Sequence, residues 1–258
     1  MDLGIAGRTA IICGSTRGLG RACAEALIRE GVTVYINGRD ANRLNAALGE
    51  LRQTSAAVHA VEGNVTTPEG RDALLTACPE PDILVNNNAG PSPGQFDTFD
   101  RETWLSAIEG NMIAPIQLVR AVLPKMRERK FGRIVNITSA MVTTPRPHMT
   151  LSAGARAGLT AVMKGLSFDT VRDNVTINNL LPERFDTDRQ EQMAQVAMKR
   201  DGITYEEARR RQIESIAARR LGRPEEFGAM CAFLCSALAG FVSGQNIHLD
   251  GGSYPALI

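Results

Sequence analysis

Short apolar runs alternating with longer amphipathic stretches constrain this chain more than any other feature. TAIIC at 9–13, VTVYI at 32–36, residues 58–62, ILVN at 83–86, RIVNIT at 133–138, VTINNL at 175–180 and NIHL at 246–249 read as strands. They are short and rich in β-branched residues, and several are apolar at consecutive positions, as strands buried on both faces are. Between them, 21–29, 41–51, 104–126 and 152–167 carry the three- and four-residue apolar spacing of one-sided helices. Strands separated by helices of this length need crossover connections, which make neighbours parallel and put helices over the sheet. The expected fold is therefore α/β, a doubly wound parallel sheet of about seven strands with helices on both faces. No linker, repeat or low-complexity stretch interrupts it, so 1–258 reads as a single domain.

One stretch departs from the alternation. Residues 186–220 are charged and helix-prone, with a break at Asp201-Gly202. Following the sixth strand, they fall at the carboxyl ends of the strands, where open α/β sheets bind ligands. The stretch reads either as a mobile substrate lid or as a plain surface helical hairpin. Arg209-Arg210-Arg211 lie beside Glu206 and Glu207, the pattern of a solvated helix face.

Charge narrows the partners. With 29 basic and 28 acidic residues and a net charge of +1, no strong field draws the chain to nucleic acid or a membrane. A small-molecule substrate is the expected partner. Five cysteines, Cys13, Cys23, Cys78, Cys231 and Cys235, form no CxxC and no metal-ligand spacing. They read as buried structural thiols of a reducing compartment, and no metal is expected. The first residues carry no basic segment followed by a cleavable apolar run, and no later stretch approaches the ~20 apolar residues of a membrane span. The expected location is the cytoplasm.

CGSTRGLG follows the first strand and opens the first helix, with glycines at 14, 18 and 20. Such a turn must bend sharply, let the backbone approach a pyrophosphate and pack the helix tightly on the strand. The helix start then offers free N–H groups to the phosphates. At the end of the second strand, an acid would bind a ribose hydroxyl and arginines would accommodate a 2′-phosphate. The strand runs into Asn37-Gly38-Arg39-Asp40, and Arg17 of the glycine turn is expected at the same place. Two arginines and no strand-tip acid favour NADP(H) over NAD(H), while Asp40 reads as the cap of the helix beginning at Ala41.

The glycine turn G-x3-G-x-G resembles that of the short-chain dehydrogenases/reductases, and further motifs match in order over nearly the whole chain. DILVNNNAG at 82–90 is similar to the family's fourth strand and NNAG, and RIVNITS at 133–139 to its fifth strand and catalytic serine. NVTINNLLPERFDT at 174–187 is similar to the sixth strand with Pro-Gly-x3-Thr. Residues 222–252 resemble the C-terminal signature, most closely of the 3-oxoacyl-carrier-protein-reductase-like branch. The resemblance implies a Rossmann-type sheet, NAD(P)(H) binding and a homotetramer (or homodimer). It places Gly14, Thr16, Arg17, Gly18, Leu19 and Gly20 on the pyrophosphate, Arg39 at the adenosine ribose, and Asn64 and Val65 beside the adenine. Pro182 and Thr187 would lie near the nicotinamide. Three asparagines stand where the family has two, so the motif pairs either with Asn86-Asn87 or with Asn87-Asn88 before Ala89 and Gly90. Glu183 replaces the glycine after Pro182.

The family's catalytic group is Asn, Ser, Tyr and Lys. Asn111 matches the asparagine and Ser139 the serine. At the tyrosine position stands Ser152, and four residues on, at the lysine, Arg156; the following Ala157-Gly158-Leu159 fits the register. Four-residue spacing puts both on one helix face. A serine is a far weaker acid than a phenol of pKa ~10, and losing a placed acid slows a reaction by ~10²–10⁴. Arg156 keeps the positive charge and can fork onto ribose hydroxyls. A water held by Ser152 and Arg156, His148 in the preceding loop, or Glu183 could supply the proton. The expectation is an NADP(H)-dependent oxidoreductase acting on a carbonyl or alcohol with a non-standard proton donor. Two alternatives stay open: a nucleotide-binding protein without redox turnover, with a regulatory or scaffold role, and a non-redox lyase or hydrolase on the same scaffold.

Overall fold

The computed structural model describes residues 1–257; Ile258, the last residue of the expected domain, lies outside the described residues. Its strands are β1 (Thr9–Ile12), β2 (Thr33–Gly38), β3 (Val58–Glu62), β4 (Ile83–Asn86), β5 (Gly132–Ile137), β6 (Val175–Pro182) and β7 (Asn246–Leu249). They form one parallel sheet in the order β3-β2-β1-β4-β5-β6-β7. The order reverses between β1 and β4, the switch point at which a doubly wound sheet opens a crevice.

Helices α1 (Gly18–Arg29), α2 (Ala41–Arg52), α3 (Pro68–Ala77), α4 (Arg101–Ile108), α5 (Ala114–Glu128), α6 (Thr150–Thr170), α7 (Asp188–Asp201), α8 (Tyr205–Glu214) and α9 (Pro224–Cys235) complete the fold. Successive side chains of a strand point to opposite faces, and the core divides accordingly. Ala10 and Ile12 of β1 pack with Leu27, Leu44 and Phe227 under α1, α2 and α9. Ile11 and Cys13 pack with Leu74, Leu118, Val122 and Met163 under α3, α5 and α6. All five cysteines are free and buried in these layers.

Local chemistry sets the helix starts. Asp40 accepts from the Arg43 N–H and caps α2, as the sequence suggests; Thr67, Asp100 and Thr204 do the same for α3, α4 and α8. The continuous helix expected over 104–126 is a correction. It begins earlier, at Arg101, ends at Glu128, and is broken by a π-turn at Glu109–Ile113. Pro115 has no N–H to give the Asn111 carbonyl, so the ladder loosens there and Ala114 bonds back to Glu109 instead.

Residues 186–220 hold the hairpin of α7 and α8, with α7 ending on Gly202 at φ 66°. Two of the three arginines form a solvated face, Arg210 pairing with Glu207 and Glu214 and Arg211 with Glu207, whereas Arg209 is mostly buried and turns to Asp186. Among the described residues no helix is long and apolar enough to cross a membrane, and no cluster of His, Cys, Asp or Glu could hold a metal.

Candidate active site

The carboxyl ends of β1, β2, β4, β5 and β6 open into a cleft of roughly 470 Å³. Thr16, Arg17, Gly18, Leu19, Arg39, Asn64, Val65, Asn87, Asn88, Ala89, Gly90, Ser139, Ser152, Arg156, Pro182 and Thr187 all line it, together with Gly14.

At one end the glycine turn leaves β1. Gly14 has φ 54°, a left-handed conformation that side chains disfavour. A Cβ on Gly20 would lie 2.5 Å from the Gly14 carbonyl oxygen, so helix and turn touch backbone to backbone there. Gly20 therefore supports the wall without lining it. Arg17 precedes α1 without a side-chain cap, which leaves the first N–H groups of the helix free toward the cleft. Asn37, at the end of β2, holds the turn in place. Its buried amide donates to the Val61 and Gly63 carbonyls and accepts from the Gly14 N–H. A lone asparagine in an otherwise apolar strand was its only sequence signal.

One expectation at this end changes. Arg17 does not turn to the tip of β2: its guanidinium pairs with Asp188 at the start of α7, 2.7 Å away. Arg39 remains at the tip with Arg43, which the sequence reading missed and which lies 3.6 Å from Asp40. The three asparagines divide between sheet and cleft. Asn86 is the last residue of β4, and its amide turns into the sheet to Asn136. Asn87 instead ties the cleft to the Gly14 carbonyl, and Asn88 to that of Gly110.

The other end gathers Ser139, Ser152 and Arg156. Ser139 leaves β5 and accepts from the Met141 N–H, which starts a short 3₁₀ turn. Ser152 and Arg156 sit one turn apart on α6, both buried. Arg156 Nη1 donates to Ser152 Oγ at 2.6 Å, and its guanidinium lies against Gly90, where a Cβ would come within 3.2 Å. Burial, then the neighbouring Arg189, pulls the Arg156 pKa down to about 10. Asn111 is not brought to this group. It lies buried on the π-turn, its amide donating to the Ala107 carbonyl, and does not line the cleft.

Around these residues stand side chains from three further segments. His148 and Met149 lie in the loop before α6; burial first, then Arg146, Arg200 and Arg184, lowers the His148 pKa, so its ring is neutral at pH 7. Glu183 turns toward Arg146 and Arg184, at 3.2 and 3.5 Å from its Oε1, and not out to solvent. Arg189 of α7 donates to the Pro91 carbonyl. Elsewhere Thr143, His248 and Asp250 form a hydroxyl–imidazole–carboxylate line. The Thr143 hydroxyl is spent on the Ala140 carbonyl and none of the three lines the cleft, so the line offers no nucleophile to a ligand there.

Comparison with known proteins gives relatives across the full fold. Residues 14–254 match the family model of enoyl-(acyl carrier protein) reductase. The chain is 31% identical to the uncharacterized oxidoreductase YvaG of Bacillus subtilis (strain 168) over 258 residues, 98% of each chain. It is 30% identical to the 3-oxoacyl-[acyl-carrier-protein] reductase FabG of Aquifex aeolicus (strain VF5), over 98% of this chain and 100% of that one. Among solved structures, L-sorbose reductase from Gluconobacter frateurii complexed with NADPH and L-sorbose superposes with a TM-score of 0.93 at 30% identity, covering 100% of both chains.

Proposed function

The chain belongs to the short-chain dehydrogenases/reductases, in the enoyl-(acyl carrier protein) reductase family, and from that premise we propose that it is an NADP(H)-dependent oxidoreductase that interconverts a carbonyl and an alcohol with a non-standard proton donor. The observation that carries the reading is that Ser139, Ser152 and Arg156 line the same cleft as the glycine turn.

The residues at that turn suit a dinucleotide. Gly14 and Gly18 bring backbone, without side chains, to the cleft, and the uncapped start of α1 offers N–H groups to a pyrophosphate. Asn64 and Val65 would flank the adenine, and Arg39 and Arg43, with no acid at the strand tip itself, would meet a 2′-phosphate. Thr187 and Pro182 would border the nicotinamide, and Arg156 its ribose. NADPH-bound relatives such as L-sorbose reductase support the choice of NADP(H). When bound, the cofactor supplies or takes up a hydride.

The protein's part is to hold the carbonyl oxygen and supply a proton. Ser139 would bind the oxygen through its hydroxyl. Ser152 accepts from Arg156, which leaves its own proton available to the substrate or to a water between them. The adjacent guanidinium stabilises negative charge as it develops on oxygen, in a site shielded from solvent. His148 is a poor acid at neutral pH because it is already neutral. Glu183 is held as an ion pair with Arg146 and Arg184. The Ser152–Arg156 pair, directly or through a water, is therefore the donor in this reading.

Residues 186–220 act in this reading as a lid over the substrate, supported by the contacts of Arg17 with Asp188 and of Arg189 with Pro91, which join α7 to the cleft walls. The working form would be a cytoplasmic homotetramer (or homodimer). An apolar groove lined by Ile116, Leu123, Val162 and Leu166 on α5 and α6 supports self-association.

NADPH consumption with a panel of ketones and 3-oxoacyl thioesters, lost in Ser139→Ala, is the deciding measurement. The missing phenol favours a second reading, nucleotide binding without turnover. Tight NADPH binding, no consumption by the native protein and gained consumption in a Ser152→Tyr/Arg156→Lys variant would establish that one instead.

A further inference from the structure

The end of the cleft beyond Ser139 and Ser152 carries far more positive charge than a neutral ketone requires. Arg146, Arg156, Arg184 and Arg189 line it, and Glu183 is the one carboxylate there; Asp188 is engaged by Arg17. The whole chain is close to neutral at net +1, so the excess is local. Among the described residues Arg156 has only the neutral Ser152 as partner, and Arg189 only the Pro91 carbonyl. One of the four is accounted for by the cofactor reading, in which Arg156 would meet the nicotinamide ribose, and Arg189 is engaged by the Pro91 carbonyl.

Arg146 and Arg184 are left, and they share one anion. The Arg146 Nη2 stands 3.2 Å and the Arg184 Nε 3.5 Å from the same Glu183 Oε1. The Arg184 Nε is buried and makes no hydrogen bond. Burial is also the main cause of a lowered Arg184 pKa, with Arg146 adding to it and Glu183 opposing it. A partly buried guanidinium, its side chain 21% exposed, that shares one carboxylate with a second arginine leaves a net positive charge for a further anion to match. A planar carboxylate matches the guanidinium fork in shape and charge. Met141, Met149, Met193 and Phe185 also line the cleft and give it apolar surface.

We propose that Arg146 and Arg184 form a carboxylate-binding subsite, so that the substrate is a small oxo acid or hydroxy acid whose acid group seats on this pair while its carbonyl or alcohol lies at Ser139 and Ser152. The inference rests on the oxidoreductase reading for the second half of that statement only. The subsite selects acids over their neutral esters, and Arg146 at the half-exposed rim is the residue that admits them.

Titration calorimetry with pyruvate, acetoacetate and levulinate, each paired with its methyl ester, tests this in the presence and absence of NADP⁺. At least one acid is expected to bind ten-fold or more tightly than its ester, and Arg146→Gln to weaken that acid about ten-fold while leaving the ester unchanged. Arg184→Gln should act in the same direction; if it fails to fold, Arg146→Gln at the rim carries the test alone. Equal affinity for acid and ester, no binding of either, or acid binding indifferent to Arg146→Gln overturns the subsite. NADPH-dependent turnover of the neutral esters without acid preference would overturn the subsite and leave the oxidoreductase reading intact. Acid binding that depends on Arg146 without NADPH consumption would do the reverse.

Discussion

Arg156 donates to Ser152 across one turn of α6 at 2.6 Å, and among the described residues that serine is the only hydrogen-bond partner of a buried guanidinium. The pair has opposite consequences for the two residues. Ser152→Ala removes the one acceptor and leaves a charged donor unsatisfied, a loss of about 1–3 kcal/mol. Arg156→Met removes the buried charge itself, which is often stabilising. Thermal unfolding of the ligand-free protein should therefore show a lowered Tm for Ser152→Ala and a raised one for Arg156→Met, by roughly 2–4 °C per kcal/mol. The upward shift that NADPH gives the native protein should shrink in Arg156→Met. A lowered Tm in both variants would show that the guanidinium is stabilised by its surroundings as found.

Gly20→Ala tests the contact between helix and turn. Its Cβ would stand 2.5 Å from the Gly14 carbonyl oxygen and 2.7 Å from the Asn87 amide nitrogen. Backbone cannot yield as a flexible side chain does, so α1 must move outward. A destabilisation of about 1–3 kcal/mol is expected by urea unfolding. NADPH affinity should fall by a larger factor than it does for Gly49→Ala, where a Cβ meets nothing within 4 Å.

His148 gives the pH dependence a sign. Burial and three arginines lower its pKa below the ordinary 6.5. Well above 6.5 the ring is neutral in folded and unfolded chains alike, and it contributes nothing to the slope. As pH falls from 6.5 toward the folded value, the unfolded chain takes up the proton first and stability is lost. Urea midpoints measured between pH 7.5 and 5.5 should therefore fall more steeply for the native protein than for His148→Gln. A reversed order would mean that the imidazolium has an anionic partner in the folded chain.

The fold was legible because its signal is periodic. Strand bounds at 58–62, 83–86 and 246–249 coincide with β3, β4 and β7, since turn residues or charge flank each apolar run. The long helix was misread because periodicity is blind to one missing N–H at Pro115. The site was legible where chemistry lies in one segment: Ser152 and Arg156 meet because four residues make one helical turn. It was illegible where partners converge from distant segments. Nothing local in 146, 183, 184 or 189 says that these side chains share a pocket, and Arg17 finds Asp188 171 positions away. Asn111 matched a family position, yet the same broken turn that carries it leaves its amide on Ala107.

Four asparagines in register across the sheet support the cleft from below. Asn86 of β4 donates its amide to Asn136 of β5, Asn136 to Asn179 of β6, and Asn179 to Asn246 of β7. All four point the same way, so each central rung is both donor and acceptor. Asn136 is fully buried, and Asn136→Leu would strand the Asn86 amide and the Asn179 oxygen together, at about 2–4 kcal/mol. Asn246 lies at the exposed edge, where water can replace it, so Asn246→Ala should lose less than ~1 kcal/mol. Asn86 is followed directly by Asn87 of the cleft, and Asn136 lies three residues before Ser139, so loosening the inner rungs displaces both walls. Asn136→Leu should therefore weaken NADPH binding as well as stability, whereas Asn246→Ala should leave binding unchanged. Equal denaturant midpoints for the two variants would show that the rungs act independently and carry no strain to the cleft.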